Sequence, residues 1–521
     1  MRNLSLLALC SFCILLNASG QVLPDSLKID WSSAGYNGTI PKPALIINVK
    51  DFGAYGDSVH DDYAAITNAI KSASSPRVIY FPNGNYLIKT SLSLPDNVVL
   101  RGDGTKSNLA FNLTGGNCIN VVNSQAAAFT NIESGYTKGS STLVLDNTSG
   151  FVVNGMAEIR EVDGAWDTQP SASTTYSVGQ VVKIMAVTGN TVTIEPSLHI
   201  DYTASLQPQI RPITPKENVG IECLKISRVD PTLNTYGYNI MFNFVHNCWV
   251  TGVESNISKG AHILLWISSH VSISGCYFHD AYSYNGTGTS GYGVLVFEHN
   301  SDSKVENCIF RHLRHAMVAE NGANGNVFAY NYSIEPYRSE IPKDAGGDML
   351  LHGNYAFANL FEGNIGQTIM IDNTWGASGP YNTFFRNRAE LYGIIVQSSS
   401  PVSSDRQNII GNEVTNTSFL KGQYSIGGRN QFTYGNNVRG VIKPTGTQNL
   451  ADKSYYLQGQ PYFWNITAPW ASIGTPNKLS SGTNPARERY LSKGVLTTCI
   501  QDVNQNLIVS NILTSSYEDN R

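Results

Sequence analysis

A short motif recurs between residues 220 and 436, and its spacing constrains the fold more than any other feature of the chain. Each copy reads apolar-x-apolar-x-Gly/Asn, then Cys or Asn, and then another apolar residue. Successive Cys or Asn positions are 23 to 33 residues apart. A repeat of this length is typical of a solenoid, in which each unit buries its apolar face against its neighbours. The copies contain Cys223, Cys248, Cys276, Cys308, Asn331, Asn364, Asn387, Asn412 and Asn436.

The apolar residues within each copy alternate with a period of two, which indicates strands. We therefore predict a parallel β-helix whose coils stack about 4.8 Å apart. The Asn side chains should hydrogen-bond from coil to coil, with Cys filling the same interior position as a small apolar residue. The cysteines are thus predicted to be interior rungs and not a disulfide framework, and without a C-x-x-C pair no metal site is predicted. Asn331 lies in the sequon Asn331-Tyr332-Ser333, but its ladder position should bury it.

The composition supports strands and excludes one class of partner. Charged residues make up 14% of the chain, against roughly 25% in ordinary soluble domains. The 47 glycines and 27 tyrosines suit strands and tight turns. The net charge is −4, so there is no basic excess to bind nucleic acid.

The first 20 residues have the pattern of an export signal. Arg2 provides the positive charge, residues 4–16 form the apolar stretch, and Ala18-Ser19-Gly20 is a small-residue cleavage site. The apolar run is shorter than the roughly 20 residues that a membrane span needs. We expect a secreted or periplasmic protein with no membrane span.

A second recognisable block lies near the N-terminus. Asp61 is expected to cap a helix whose apolar stripe, from Ala65 to Ala73, would close the first coil. The block comprises residues 49–57 (VKDFGAYGD), 61–66 (DDYAAI), 78–86 (VIYFPNGNY) and 99–104 (VLRGDG).

This block resembles the opening of the pectate-lyase-like superfamily of right-handed parallel β-helices. That superfamily includes polygalacturonase-type hydrolases, β-1,3-glucanases, polysaccharide lyases, epimerases and phage tailspikes. The resemblance implies the fold and brings no catalytic residues with it. Ser58-Val59-His60, before the acidic pair, departs slightly from the pattern.

The predicted fold is all-β, a right-handed parallel β-helix with an N-terminal capping helix and an inserted small β-rich domain. The insertion is expected where the repeat is interrupted, and the proline- and aromatic-rich tail should pack outside the coils. The predicted segments are 1–20 (signal peptide), 44–125 (cap and first coils), 126–215 (insertion), 216–440 (main β-helix) and 441–521 (tail).

Candidate catalytic residues follow the apolar strand of successive coils. If the strand endings are equivalent, the polar residues there form a column, with backbones about 5 Å apart for one coil and about 10 Å for two. Retaining glycosidases separate their two carboxylates by roughly 5–5.5 Å and inverting ones by roughly 6.5–9.5 Å. The alternative is that these residues only cap strand ends. The candidates are Glu298, Glu320, His352 and Asp372, followed by Gln397.

Candidate substrate-binding residues cluster around two long loops, at residues 279–290 and 335–347. Arginines there would bind a carboxylate or sulfate on a sugar, and aromatic rings would stack on sugar faces. The alternative is that the arginines pair with nearby acids and the histidines bond turns. The candidates are His279, Arg311, His312, Arg314, Tyr332, Tyr337, Arg338 and Trp375.

The sequence therefore predicts a carbohydrate-active enzyme that hydrolyses glycosidic bonds of a polysaccharide, with an anionic substrate suggested by the basic cluster. Glu320 and Asp372 would be acid and base, because their two-coil separation suits inversion, while Glu298 and Glu320 suit the narrower spacing. Hydrolysis is favoured by the number of carboxylates.

Two alternatives remain open. One is a polysaccharide lyase acting on a uronate polymer, in which a base removes the proton next to a neutralised carboxylate. The other is a glycan-binding β-helix protein without catalysis. Cofactors are not expected, apart from Ca²⁺ if the protein is a lyase. The lyase base would be His352, His312 or Tyr332, and the neutralising group Arg311, Arg338 or Ca²⁺.

Overall fold

The computed structural model describes residues 21–124, 126–168, 170, 175–230, 236–286, 288–399, 402–474, 479 and 481–499. The expected signal peptide and the last part of the expected tail lie outside these residues. Among the residues described, no helix is long and apolar enough to cross a membrane.

The predicted parallel β-helix is confirmed. Its first face is a sheet of 12 parallel strands, in which each strand pairs with the equivalent strand of the next coil. These strands are Leu45–Asn48, Arg77–Phe81, Val98–Gly102, Gly220–Glu222, Trp249–Thr251, Ser272–Ser274, Lys304–Glu306, Val327–Ala329, Leu360–Glu362, Thr383–Phe385, Asn408–Ile410 and Phe432–Tyr434.

A sheet of 21 strands forms the other two faces, because its longest strands turn the corner between them. The second face contains Asp57–Asp61, Gly84–Ile88, Ser107–Phe111, Lys225–Arg228, Glu254–Ser258, Tyr277–Ala281, Ile309–Arg311, Tyr332–Ile334, Glu413–Val414, Asn436–Val438 and the antiparallel Val441–Lys443. The third face contains Leu92–Ser93, Ile119–Val122, Ile240–Asn243, Ala261–Trp266, Tyr292–Phe297, His315–Ala319, Gly347–Leu351 and Gln423–Ile426. The strands Ile365–Ile371 and Arg388–Val396 contribute to both.

The coils enclose one long apolar core, and an asparagine ladder lines the corner between the first and second faces. The Nδ2 of Asn331 donates to the Oδ1 of Asn364 at 2.9 Å, and the same contact links Asn364 to Asn387. It continues at 3.0 Å through Asn412 to Asn436. Asn331 is fully buried, as the ladder predicted.

The cysteine prediction is right for Cys276 and Cys308, right for Cys248 in burial but not in ladder position, and wrong for Cys223. Cys276 and Cys308 are buried, free and in register with the ladder, since the backbone N–H of Cys308 donates to Asn331. Cys248 is buried but precedes the first-face strand instead of following it. Cys223 lies one residue before the ladder position and forms a disulfide with Cys499. The repeat could not predict this disulfide, because Cys223 contacts a C-terminal segment whose cysteine is 276 residues away in the sequence.

A second ladder, which the sequence analysis missed, lines the corner between the third and first faces. Asn300, Asn326, Asn359 and Asn382 are linked by amide hydrogen bonds of 2.8 to 3.0 Å, and Asn382 reaches Gln407 at 3.0 Å. Two corners are thus held by buried amides, which fixes the register from coil to coil.

A helix at Tyr63–Lys71 lies at the start of the coils and buries Ala65, Ile66, Ala69 and Ile70 in the core. The N-cap position is Asp62, not Asp61. The Asp62 carboxylate accepts hydrogen bonds from the backbone of the preceding turn, and Asp61 accepts one from the N–H of Tyr63 at 3.1 Å.

Residues 130–213 contain a closed barrel that packs on the side of the β-helix. Val181 of the barrel donates its N–H to the hydroxyl of Ser301 at 3.0 Å. Glu158 lies 2.8 Å from the ring of His299, and both are buried. The barrel strands are Thr130–Ser134, Thr142–Leu145, Met156–Glu161, Val178–Thr188, Thr191–Glu195 and Gln209–Ile213.

The C-terminal segment covers part of the outer surface. Phe463 and Trp464 pack on the outer side of the first face, against Tyr330. A helix at Pro485–Leu491 covers part of the second face. The remaining elements are short strand pairs, Lys216–Glu217 with Val245–His246 and Ser398–Ser399 with Val402–Ser403, and the 3-10 helices Asp25–Leu27, Val49–Phe52, Gly104–Lys106 and Ala204–Leu206.

Candidate functional site

Three of the four candidate catalytic residues form a column on the outer side of the third face. Inward-facing Ala319, Leu351 and Ile371 are paired from coil to coil. The next residue of each strand is therefore also equivalent, and it faces outward because side chains alternate along a strand. These next residues are Glu320, His352 and Asp372, followed by Gln397.

The fourth candidate, Glu298, is not part of this column, and its prediction as a member was wrong. Trp266 pairs with Phe297, so Phe297 occupies the position before Glu320. At Glu298 the backbone leaves the strand with a φ of 34°. Burial raises the pKa of the Glu298 carboxyl, which lies near His299 at the barrel contact.

The column lies in a cleft of about 380 Å³. Six of the twelve residues that the sequence analysis selected line this cleft, and Trp375 at its edge is 44% exposed. The six are Glu320, His352, Asp372, Arg314, Arg338 and Trp375.

Two long loops form one wall of the cleft and are joined to each other. The N–H of Ser339 donates to the carbonyl of Tyr284 at 3.0 Å. The N–H of Gly286 donates to the Glu340 carboxylate at 2.5 Å. The loops that follow the two long coils therefore build one structure beside the column.

His352 and Asp372 form a buried pair, with Nδ1 of His352 2.7 Å from Oδ2 of Asp372. Burial opposes protonation of the imidazole, but the charge and hydrogen bond of Asp372 outweigh it, with help from the charge of Glu320. The net effect raises the pKa of His352. The other oxygen of Asp372 accepts the N–H of Thr374 at 3.2 Å.

Glu320 is the acid of the cleft whose titration is most altered. Burial raises its pKa to about 7, with the charge of His352 opposing this and that of Asp372 adding to it. A carboxyl group with such a pKa is protonated in much of the population near neutral pH. It is therefore suited to donate a proton.

The two cleft arginines have no carboxylate partner within the described residues. Arg314 is buried and donates to the carbonyls of Asn285 and Gly288 and to the hydroxyl of Tyr292. Arg338 donates to backbone carbonyls of its own loop at 3.0 and 3.1 Å. The charges of both arginines lower the pKa of Glu340 in the cleft wall, but neither arginine forms an ion pair with it, so both can also bind an anion in the cleft.

Five predicted substrate-binding residues lie outside the cleft lining. Arg311 pairs with Asp280 and Glu335, and His279 also contacts Asp280. These contacts correspond to the scaffold alternative, in which the arginines pair with nearby acids. The other three are His312 and Tyr337, whose rings stack 4.9 Å apart behind the loop wall, and Tyr332, which lies under the C-terminal helix.

Tyr292 and His315 also line the cleft, although neither was among the predicted site residues. The ring of His315 lies 5.6 Å from that of His352 and 4.8 Å from that of Tyr292. Burial lowers the pKa of His315 well below its usual value, so its ring is neutral. The signal that could have found them is the strand register, since Tyr292 and His315 are paired on adjacent coils.

Within the described residues, no group of three or more His, Cys, Asp or Glu side chains is arranged to hold a metal ion.

Comparisons with known proteins agree with the architecture. Residues 46–195 match the family model described as "Rhamnogalacturonase A/epimerase, pectate lyase-like". Mannuronan C5-epimerase AlgE1 of Azotobacter vinelandii is 32% identical over 149 residues, which cover 26% of this chain and 10% of that protein. The preneck appendage protein of Bacillus phage PZA is 26% identical over 340 residues, which cover 62% of this chain and 37% of that protein.

The chain thus spans a tenth and 37% of the lengths of these two relatives. Among solved structures, the tailspike protein gp49 from Pseudomonas phage LKA1 superposes with a TM-score of 0.47 at 18% identity. That superposition covers 71% of this chain and 64% of the tailspike. The stacked parallel coils and the match at residues 46–195 support the resemblance of the chain to the pectate-lyase-like superfamily of parallel β-helix proteins.

Proposed function

We propose that the protein is a carbohydrate-active enzyme that hydrolyses glycosidic bonds of an anionic polysaccharide in this cleft. The observation that carries the proposal is the column of Glu320, His352 and Asp372 on three adjacent coils. It places the two carboxylate-bearing backbones about 10 Å apart with a histidine between them. That separation favours the inverting geometry over the retaining one.

In this mechanism Glu320 is the general acid and Asp372 the general base. Glu320 donates its proton to the glycosidic oxygen as the bond to the anomeric carbon breaks. Asp372 accepts a proton from a water molecule, whose oxygen bonds to the anomeric carbon from the opposite side. One bond is cleaved, one water is consumed, and the configuration at the anomeric carbon inverts.

His352 is a positioning residue in this scheme. As a cation it holds the Asp372 carboxylate in place through the 2.7 Å contact and keeps the pKa of Glu320 from rising further. A histidine whose pKa is raised is a weak candidate for a base near neutral pH. This favours hydrolysis over the lyase route that uses His352 as base.

An anionic substrate is supported by Arg314 and Arg338, because neither has a carboxylate partner among the described residues. The similarity to a mannuronan C5-epimerase adds support for a polysaccharide substrate, since the name of that protein identifies the polysaccharide mannuronan as its substrate. The exposed ring of Trp375 at the cleft edge suits a sugar face.

The lyase remains the second candidate, because the same two arginines would neutralise a uronate carboxylate. A screen of the purified full chain distinguishes the two reactions. Polygalacturonate, alginate and a neutral β-glucan would each be tested for new reducing ends and for the ultraviolet absorbance of an unsaturated product. Hydrolysis gives reducing ends alone, and an absorbing product would replace the proposal with the lyase.

The residue assignment is tested with Glu320→Gln and Asp372→Asn, which keep the side-chain shape. Each should lower kcat by at least about 100-fold while the variant still unfolds cooperatively. Glu335→Gln is the matched control, because its carboxylate lies outside the cleft and is exposed. Full activity in both cleft variants would show that these carboxylates do not carry the reaction.

A further inference from the structure

The column that contains the acids continues toward the N-terminal coils with aromatic residues. Asn243 pairs with Trp266, and Trp266 with Phe297. The N–H of Glu320 then donates to the carbonyl of Val296 at 3.1 Å, which places Glu320 on the rung after Phe297. Trp266, Phe297 and Glu320 therefore occupy equivalent outward positions on three successive coils.

The two aromatic side chains are partly exposed. Their rings meet edge to face, with centroids 5.6 Å apart. Both pack on a buried apolar row that the same face presents outward, which includes Leu264 and Leu295. A partly exposed aromatic surface thus directly adjoins the general acid.

Tyr238 extends this surface. Its ring packs against the same apolar row, and its hydroxyl lies 2.7 Å from that of Tyr236. Burial is the main cause of its raised pKa, followed by Tyr236, and the charge of Glu320 also contributes. Tyr238 is therefore close enough to Glu320 to sense its charge.

The column differs at its other end. The position after Asp372 is Gln397, which lines the cleft, and the position after Gln397 is Gly427. One side of the acids is aromatic, and the other carries an amide and then no side chain. A glycan lying along the column would meet different chemistry on each side of the bond that is cleaved.

We propose that Phe297, Trp266 and Tyr238 bind the leaving-group half of the polysaccharide chain. This inference rests on the proposed function. Water activated at Asp372 attacks from the side opposite the leaving oxygen, which Glu320 protonates. The leaving half must then extend from Glu320 away from Asp372, across Phe297 and toward Trp266.

The aromatic surface has the size and chemistry for this role. Two coils separate Glu320 from Trp266, a distance of about 10 Å, which spans more than one sugar ring. The C–H faces of sugar rings pack on aromatic faces, while their hydroxyls remain in water. The charged groups of the substrate then bind near Arg314 and Arg338, and its apolar faces pack on the aromatic side.

The test compares Phe297→Leu with Phe297→Tyr on oligogalacturonides and oligomannuronates of graded length. Phe297→Leu keeps the apolar volume but removes the ring face, and Phe297→Tyr keeps the ring. We expect Phe297→Leu to lower kcat/KM about 3- to 10-fold on the long members of the series that is cleaved, with little effect on the shortest. Phe297→Tyr should restore the wild-type length dependence.

Phe52→Leu is the matched control, since Phe52 is 37% exposed on the first coil, outside the cleft. It should leave the length dependence unchanged. An equal loss on every chain length, or no loss in Phe297→Leu, would overturn the inference.

A binding measurement distinguishes failure of this inference from failure of the proposed function. Calorimetric titration of Glu320→Gln with the same oligosaccharides should show weaker binding of the long members when Phe297→Leu is added. Cleavage by Glu320→Gln would refute the proposed function and leave the binding comparison to judge the aromatic surface. Binding that is unaffected by Phe297→Leu, or absent for both series, would refute the inference itself.

Discussion

Nδ1 of His352 lies 2.7 Å from Oδ2 of Asp372, and these residues are only 9% and 6% exposed. Removing two opposite charges from water costs free energy that their attraction offsets only in good geometry. A buried pair beside a cleft, next to a carboxyl group with a raised pKa, is typical of a functional site. The pair and Glu320 therefore lead to the first two predictions.

Glu320→Gln should raise Tm at about pH 8 and leave it near the wild-type value at about pH 4. Burial raises the folded-state pKa of Glu320 to about 7 from an ordinary value of 4.5. The folded protein thus binds more protons than the unfolded chain between these values, and wild-type stability falls as pH rises through this window. Glutamine does not ionise and avoids the loss.

Thermal unfolding followed across this pH range measures the effect. The exposed acid Glu335 provides the comparison, because Glu335→Gln should give no such pH-dependent gain. A Tm difference for Glu320→Gln that is the same at both ends of the range would mean that Glu320 ionises as in the unfolded chain.

His352→Asn should move the alkaline limb of the kcat/KM profile to higher pH. The positive charge of His352 lowers the pKa of Glu320, so removing that charge lets the pKa rise. Asp372 also loses its 2.7 Å partner, and kcat should fall on the order of 100-fold. The pH dependence of kcat/KM on the cleaved polymer is the measurement, and a lower kcat with an unmoved alkaline limb would contradict the assigned role.

Asn364→Ala should destabilise the protein by about 3 kcal/mol or more. The Oδ1 of Asn364 accepts hydrogen bonds from both the backbone and the side chain of Asn331, and its Nδ2 donates to Asn387. Alanine leaves these buried groups without partners. Urea unfolding measures the loss, with Asn190→Ala in an exposed barrel turn as the control that should change stability by less than about 0.5 kcal/mol.

Replacing both Cys223 and Cys499 by Ser should lower the free energy of unfolding by about 2–5 kcal/mol. The disulfide joins residues 276 apart and fixes the C-terminal segment to the first coils of the main helix. Thermal unfolding with and without reductant provides the check. Reductant should lower the Tm of the wild type and not that of the double variant, and an equal decrease in both would argue against a disulfide contribution.

The column of Glu320, His352 and Asp372 was predictable because it follows from local periodicity. Ala319, Leu351 and Ile371 face inward, so the polar residue after each must face outward and align with its equivalents. The same reasoning failed at Glu298. The sequence VFE does not reveal that Phe297 occupies the outward position equivalent to Glu320, or that the chain turns at Glu298.

The substrate-binding candidates were only partly predictable, because a side chain's partners come from other loops. Arg311 and Arg338 look alike in the sequence. Only the folded loops give Arg311 two carboxylates and leave Arg338 in the cleft with backbone partners.

The sequence by itself determined the stacked coils, the asparagine ladder and the alignment of Glu320 with Asp372, because these depend on a pattern that each coil repeats. Only the tertiary structure decided the bond between Cys223 and Cys499 and the two arginines left in the cleft. These depend on contacts between segments far apart in the chain, and no local period encodes such contacts.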